Sequence, residues 1–254
     1  MIIKAIAFNT FKEAIRDRVI YLLLFFAAVC IIFSRLLAIL TVGDRVKIIK
    51  DVGLSSLSLF GALMAILMGT GLVYKEIDKK TIYTLLSKPI HRFQFLLGKF
   101  FGLVLTLGIM LVLMSIIFLA VIFFHTFTIE WELLVAILFI FLELCLLTSV
   151  AIFFSCFSTP ILSSLFSLSF YLIGHFSWGL ETLIKKIQSQ AWNVLAQILY
   201  TFLPDLENFN FKIEIVHHLP IPTKIFLFSI LYGIFYTVFV LTLATLIFRK
   251  RDFI

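Results

Sequence analysis

The sequence predicts an all-α integral membrane protein: six transmembrane helices, an amphipathic interface helix before them, and short outer re-entrant or amphipathic helices ahead of the last span. Three observations lead there. Hydrophobic residues make up 62% of the 254 residues and charged residues only 14%, far from the roughly half apolar and quarter charged of soluble domains. Apolar runs of span length, about 20 residues each, recur between short polar connections. Lys and Arg gather at the ends of those runs rather than within them. So divided, residues 1–254 form one membrane domain with no room for a soluble catalytic unit.

Residues 1–18 put Ile3, Ala7, Phe11, Ala14 and Arg18 on one helical stripe, with Lys4, Lys12, Glu13, Arg16 and Asp17 off it. That is the pattern of a helix lying in the interface, although a polar cap on the first span would read the same way. No small-residue cleavage site follows the first apolar run, so it is expected to stay in place. Span one covers 19–42, interrupted by Ser34 and Arg35, with Arg35 close enough to an end to snorkel. A polar connection, 43–53, leads to span two, 54–73, whose Gly61, Gly69, Gly71 and Ser58 suit close helix packing.

Span three, 96–124, opens on Gly98 and Gly102, a GxxxG that is weak evidence alone. His125 to Glu132 has two acids, no Lys or Arg, and Trp131 at a belt position, so it reads as an outer loop. Span four, 133–154, turns at Ser155–Pro160 into span five, 161–178. From Leu180 to Phe202, apolar residues recur at helical spacing with Lys185, Lys186 and Gln190 off the stripe, predicting a surface or re-entrant helix. Leu203–Phe211, LPDLENFNF, carries a Pro-Asp turn. LPIP at 219–222 breaks the chain before span six, 224–248, which Arg249, Lys250 and Arg251 stop.

An N-terminus inside places thirteen Lys and Arg on the inner side against eight outside, the favoured sense of the positive-inside rule. Six spans then leave both termini cytoplasmic in a multi-pass inner-membrane protein. The segment 75–95 is cytoplasmic too, and with Lys99 it carries six basic residues against Glu76 and Asp78. Within it Asp78 can cap a helix, Ile82, Leu85 and Leu86 share a face, and Pro89 ends it. Such a helix fits a groove on another protein, or it lies on anionic headgroups. Basic residues that hug span ends reflect the lipid bilayer rather than nucleic acid.

The stretch Glu76 to Lys99, with TIYTLLSKPIHRFQFLLGK, resembles the loop after the second span in permease subunits of ABC-2 type transporters. FKEAIRDR near the N-terminus and LPDLENFN before the last span are similar to the NosY-like subgroup. The resemblance implies a permease that forms a homodimer, or a heterodimer with a related permease, and binds separate ABC ATPase subunits holding ATP and Mg. It implies that Glu76, Thr81, Ile82, Leu85, Leu86, Pro89 and Arg92 lie on the ATPase-coupling surface, and that the segment before the last span holds short re-entrant helices. Lys80 stands where the family commonly has Gly. Gly98-Lys99 is followed by Phe100, so no GxxxxGK[ST] phosphate cradle exists in the chain. The expectation is a transport subunit that is no enzyme by itself and holds no cofactor of its own.

Two ionisable residues away from the basic span ends stand out inside apolar spans, Glu143 and His175. An ionised group at mid-membrane costs about 2.5–3.5 kcal/mol on insertion scales, so such residues face a cavity, a partner or the bundle interior. Glu143 lines the transport path or a dimer interface, or it is protonated and bonded to Thr148 or Ser149 on its own helix. His175 poses the same choice more weakly. His217 and His218 beside Glu214 lack the further ligands a metal needs, so no metal is expected, and Cys30, Cys145 and Cys156 are isolated. A proton- or ion-coupled secondary transporter using Glu143 would show inverted repeats. A lipid-modifying membrane enzyme would show clustered acids or His at one membrane face. Neither pattern is visible.

Overall fold

The computed structural model describes residues 2–40, 44–78, 91–128, 130–176, 204–217, 219–220 and 222–250. Every regular element among them is helical: α1 (Ile2–Ile15), α2 (Arg18–Leu40), α3 (Arg45–Asp78), α4 (Arg92–Thr126), α5 (Glu132–Ser155), α6 (Pro160–His175), the 3-10 turn η1 (Leu206–Phe209), the short α7 (Lys212–Val216) and α8 (Thr223–Lys250). Five of them, α2, α3, α4, α5 and α8, are long and apolar enough to cross a membrane. α6 is apolar but has 16 residues, about 24 Å at 1.5 Å per residue, short of a roughly 30 Å hydrocarbon core. Five long helices and one short helix therefore occupy the places of the six expected spans. Leu180–Phe202 lies outside the described residues.

Two expected boundaries move. The connection 43–53 is helical from Arg45, because Ile49 and Leu54 bury with the rest of α3. Its Lys50, also buried, pairs with Glu130 of the α4–α5 loop at 2.6 Å, so a residue read as a loop charge becomes a tie at the helix start. At the other end α3 continues to Asp78 and carries Glu76 on its last turn.

α3 and α5 form the centre, with 67% and 61% of their apolar windows buried, whereas α2 and α8 bury only 22% and 28%. α2 turns Ala27, Ile31, Ser34 and Ala38 inward and leaves Leu22, Phe25, Phe26, Val29, Phe33 and Leu36 exposed. An outward face of that kind is at home against lipid tails. Hydroxyls in such helices must find protein partners, because hydrocarbon offers none. Thr70 donates to the carbonyl of Ile66 at 2.8 Å, Thr106 to that of Gly102 at 2.9 Å, and Ser155 reaches across from α5 to the carbonyl of Thr70 at 3.1 Å.

α1 packs along α4. A Cβ on Gly98 would stand 2.7 Å from the Cβ of Ile6, and one on Gly102 would stand 2.5 Å from the carbonyl oxygen of Ala7. The GxxxG of the sequence thus seats the N-terminal helix. Between the two glycines Lys99 is buried and reaches Glu13 at 3.6 Å. Charge and close approach together hold α1 on α4.

Candidate intramembrane site

Glu143 lies near the middle of α5 and is 1% exposed. Its Oε1 is 2.8 Å from Nε2 of His175, the last residue of α6. Its Oε2 accepts a long hydrogen bond, 3.5 Å, from the hydroxyl of Ser58 on α3. The two polar residues read separately from the sequence are therefore partners. The alternative within α5 does not occur, since Thr148 and Ser149 donate to the carbonyls of Leu144 and Leu146. Back-bonding to the helix competes successfully for those hydroxyls.

The hairpin geometry explains the meeting. Glu143 precedes Ser155 by 12 residues and His175 follows Pro160 by 15, rises of about 18 and 22 Å from a tight turn. In an antiparallel pair the two fall at nearly one level. Pro160 starts α6, where its missing N–H and fixed φ suit the first turn.

The other nitrogen of His175, Nδ1, lies 3.6 Å from Oε2 of Glu207 on η1, an ion-pair distance. LPDLENFN builds that approach residue by residue. Asp205 accepts from the Glu207 N–H at 3.2 Å and caps the turn, while its own N–H donates to the Tyr232 hydroxyl of α8 at 2.9 Å. Leu206 and Phe209 are buried, and Asn208 donates to the Asp205 carbonyl at 3.2 Å. Asn210 donates to Oε1 of Glu207 at 2.8 Å and fixes the carboxylate. A Cβ on Gly174 would meet Leu206 at 2.6 Å, so η1 sits directly against the end of α6.

Further charges border the cluster. Lys212 on α7 feels Glu143, Glu207 and Asp51 of α3, and burial pulls its ammonium below the usual lysine range against their attraction. Glu207 is held below its ordinary carboxyl value by His175 first and by Asn210, against partial burial. The Tyr171 ring packs edge-on against His175, 4.6 Å between centroids. The sequence did not assign Glu207, Lys212, Ser58 or Tyr171 to this site; Ser58 reads there as a packing residue and Glu207 as part of a turn. Only the equal distances from the 155–160 turn could have paired Glu143 with His175, and nothing in the spacing could have supplied Glu207.

The residues expected at an ATPase-coupling surface are a separate place. Thr81, Ile82, Leu85, Leu86 and Pro89 lie outside the described residues, and Glu76 is placed by its helix alone. Arg92 starts α4, where its Nη1 donates to the carbonyls of Phe248 and Arg249 at 2.9 Å each. Among the described residues no group of three His, Cys, Asp or Glu is arranged to hold a metal ion. His217 is exposed and His218 lies outside the description.

The helical inventory meets a family pattern: the model for the ABC-2 family transporter protein matches residues 4–253. The chain belongs to the ABC-2 family. A search of curated proteins gave no match. As an ABC-2 family transporter protein with five helices able to cross a membrane, it is a multi-pass membrane component. Membership in the ABC-2 family implies association with an ABC ATPase.

Proposed function

We propose that the chain is the permease subunit of an ATP-driven exporter, in which separate ATPase subunits hydrolyse ATP and the spans move substrate or transmit force across the inner membrane. The family match over residues 4–253 carries this reading. The NosY-like subgroup fits the FKEAIRDR and LPDLENFN stretches. Two permeases, identical or related, assemble around the pathway, with α6 crossing as span five and both termini cytoplasmic. The segment 75–95 docks on the ATPase, which holds ATP and Mg. Its exit at Arg92 is tied to the end of α8, a connection stiff enough to pass on a displacement.

Co-expression with a candidate ABC ATPase tests the reading. A co-purifying complex whose ATP hydrolysis drives vectorial movement of a cargo, or work on a partner protein, supports it. A chain that carries cargo on a proton gradient alone, indifferent to ATP and to any ATPase, overturns it in favour of a proton-coupled carrier. That second reading draws on the Glu143–His175 contact.

A further inference from the structure

His175 stands between two carboxylates, one on each ring nitrogen: Glu143 at 2.8 Å and Glu207 at 3.6 Å. A neutral imidazole has one N–H donor and one lone pair. Whichever nitrogen kept the lone pair would set it against carboxylate oxygen. The arrangement is attractive on both sides only when the imidazole carries two N–H groups, or when one carboxyl is itself protonated. In either case the bridge holds one proton more than a neutral imidazole between two carboxylates.

That proton sits at a junction of elements. Glu143 belongs to the buried α5, His175 to the end of α6 and Glu207 to η1, whose Asp205 is tied in turn to Tyr232 of α8. The groups facing the bridge are Ser58 of α3, Tyr171 of α6 and Lys212 of α7, with Asp51 of α3 acting on Lys212. Lys212 offsets one negative charge but cannot replace the central one, because it bonds to neither imidazole nitrogen. Without the proton, two carboxylates face a neutral ring in a site that is nearly dry on the Glu143 side and open on the Glu207 side, where the side chain is 38% exposed.

We propose that Glu143, His175 and Glu207 form a proton-binding site that latches η1 onto α5 and α6, loaded from the aqueous face that Glu207 borders. Loss of the proton at alkaline pH removes the attraction to one carboxylate and releases η1. The latch is independent of the proposed ATPase coupling, since it involves only this chain. In a transporter it would make the segment before the last span responsive to the pH of that face.

The test uses the full chain in lipid nanodiscs without ATPase or nucleotide, so its result is separate from that of the co-expression experiment. With 15N-labelled histidine, the His175 signal is assigned as the one of five histidines missing in His175→Gln, or, if that variant does not fold, as the one moved by Glu207→Gln. From about pH 6 to about pH 9 the expected result is a loss of the shared proton on the alkaline side. Deuterium uptake over residues 204–217, corrected for intrinsic exchange, should rise about tenfold in the same pH interval, as expected for a local opening. Glu207→Gln should raise uptake at neutral pH and flatten its pH dependence. A His175 signal that does not change across the interval, or protection of 204–217 that ignores pH in the wild type, overturns the proposal.

Discussion

Arg92 and Phe248 are 156 positions apart in sequence, yet Arg92 Nη1 donates to the Phe248 carbonyl at 2.9 Å and to the next carbonyl, Arg249, at the same distance. The last carbonyls of a helix lack intrahelical donors, and a guanidinium supplies both charge and hydrogen bonds there. The beginning of α4 is thereby fastened to the end of α8, beside the stacked rings of Phe95 and Phe248.

Arg92→Ala removes those donors and leaves the carbonyls to water. The site is half open, so the expected stability loss is about 1–2 kcal/mol, read as a drop in thermal midpoint in detergent. Arg92→Lys should recover part of it, because one ammonium lacks the planar fork. Transport per ATP should fall more than stability does, if the tie passes on motion of segment 75–95. A variant stable and coupled like the wild type removes Arg92 from that role.

Leu86→Glu puts a charge on the apolar face that Ile82, Leu85 and Leu86 share in the sequence pattern, and Pro89→Gly loosens the stop behind it. On the proposed function, Leu86→Glu weakens ATPase capture about tenfold or more, the scale of one lost apolar anchor. Pro89→Gly preserves capture but lowers transport per ATP. Pulldown and coupled transport assays on both variants, with full capture and full transport as the adverse result, decide the matter.

Gly102→Ala tests how α1 is seated. The added Cβ meets a backbone oxygen, that of Ala7, at 2.5 Å, and a backbone atom cannot swing aside as a side chain tip can. The substitution should cost about 1–3 kcal/mol through overpacking and make residues 2–15 more sensitive to limited proteolysis. Gly71→Ala, where nothing lies within 4 Å, is the control: it should not lower stability, since Ala favours a helix over Gly, and should leave proteolysis of residues 2–15 unchanged.

Much of the bundle was legible because hydrocarbon imposes a simple rule: runs without charge become helices, since backbone groups have no other partner there. The rule fails at the edges. Arg45–Gly53 contains Lys47, Lys50 and Asp51 and reads as loop, but Glu130 neutralises Lys50 from another segment, which no local pattern records. α6 reads as a full span from its apolarity, while its described helix runs from Pro160 to His175. At the site, Glu143 and His175 each stood out as a polar residue in an apolar run, whereas Glu207 did not, because an acid in a turn is ordinary. Its role depends on Asp205, Asn210 and Gly174 aligning η1 with α6, and that is tertiary information.

Acid pH should also loosen η1, this time through Glu207. Its folded-state value is depressed below the ordinary 4.5, by His175 first and Asn210 after it. A depressed carboxyl contributes stability above its unfolded value and loses it as pH falls through the folded one. Protection of residues 204–217 should therefore persist at mildly acidic pH and fall only below that ordinary value. In Glu207→Gln this acid step should be absent, and an unchanged acid step there would assign it to another carboxyl.

Glu143 and His175 together offer the sharpest energetic test. Removing one partner of a buried pair costs about 3–5 kcal/mol, because the survivor stays desolvated and unpaired. Glu143→Ala should show that scale of loss, and Glu143→Gln less, since an amide oxygen can still accept from Nε2. In the double variant Glu143→Ala with His175→Ala, the second substitution should cost far less than it does alone, giving a coupling of about 1–3 kcal/mol. The cycle is measured by denaturant or thermal unfolding of the full chain in one lipid and detergent system. Strict additivity would mean that the 2.8 Å contact contributes no more than its surroundings, and that Glu143 is held in the bundle by packing and Ser58 alone.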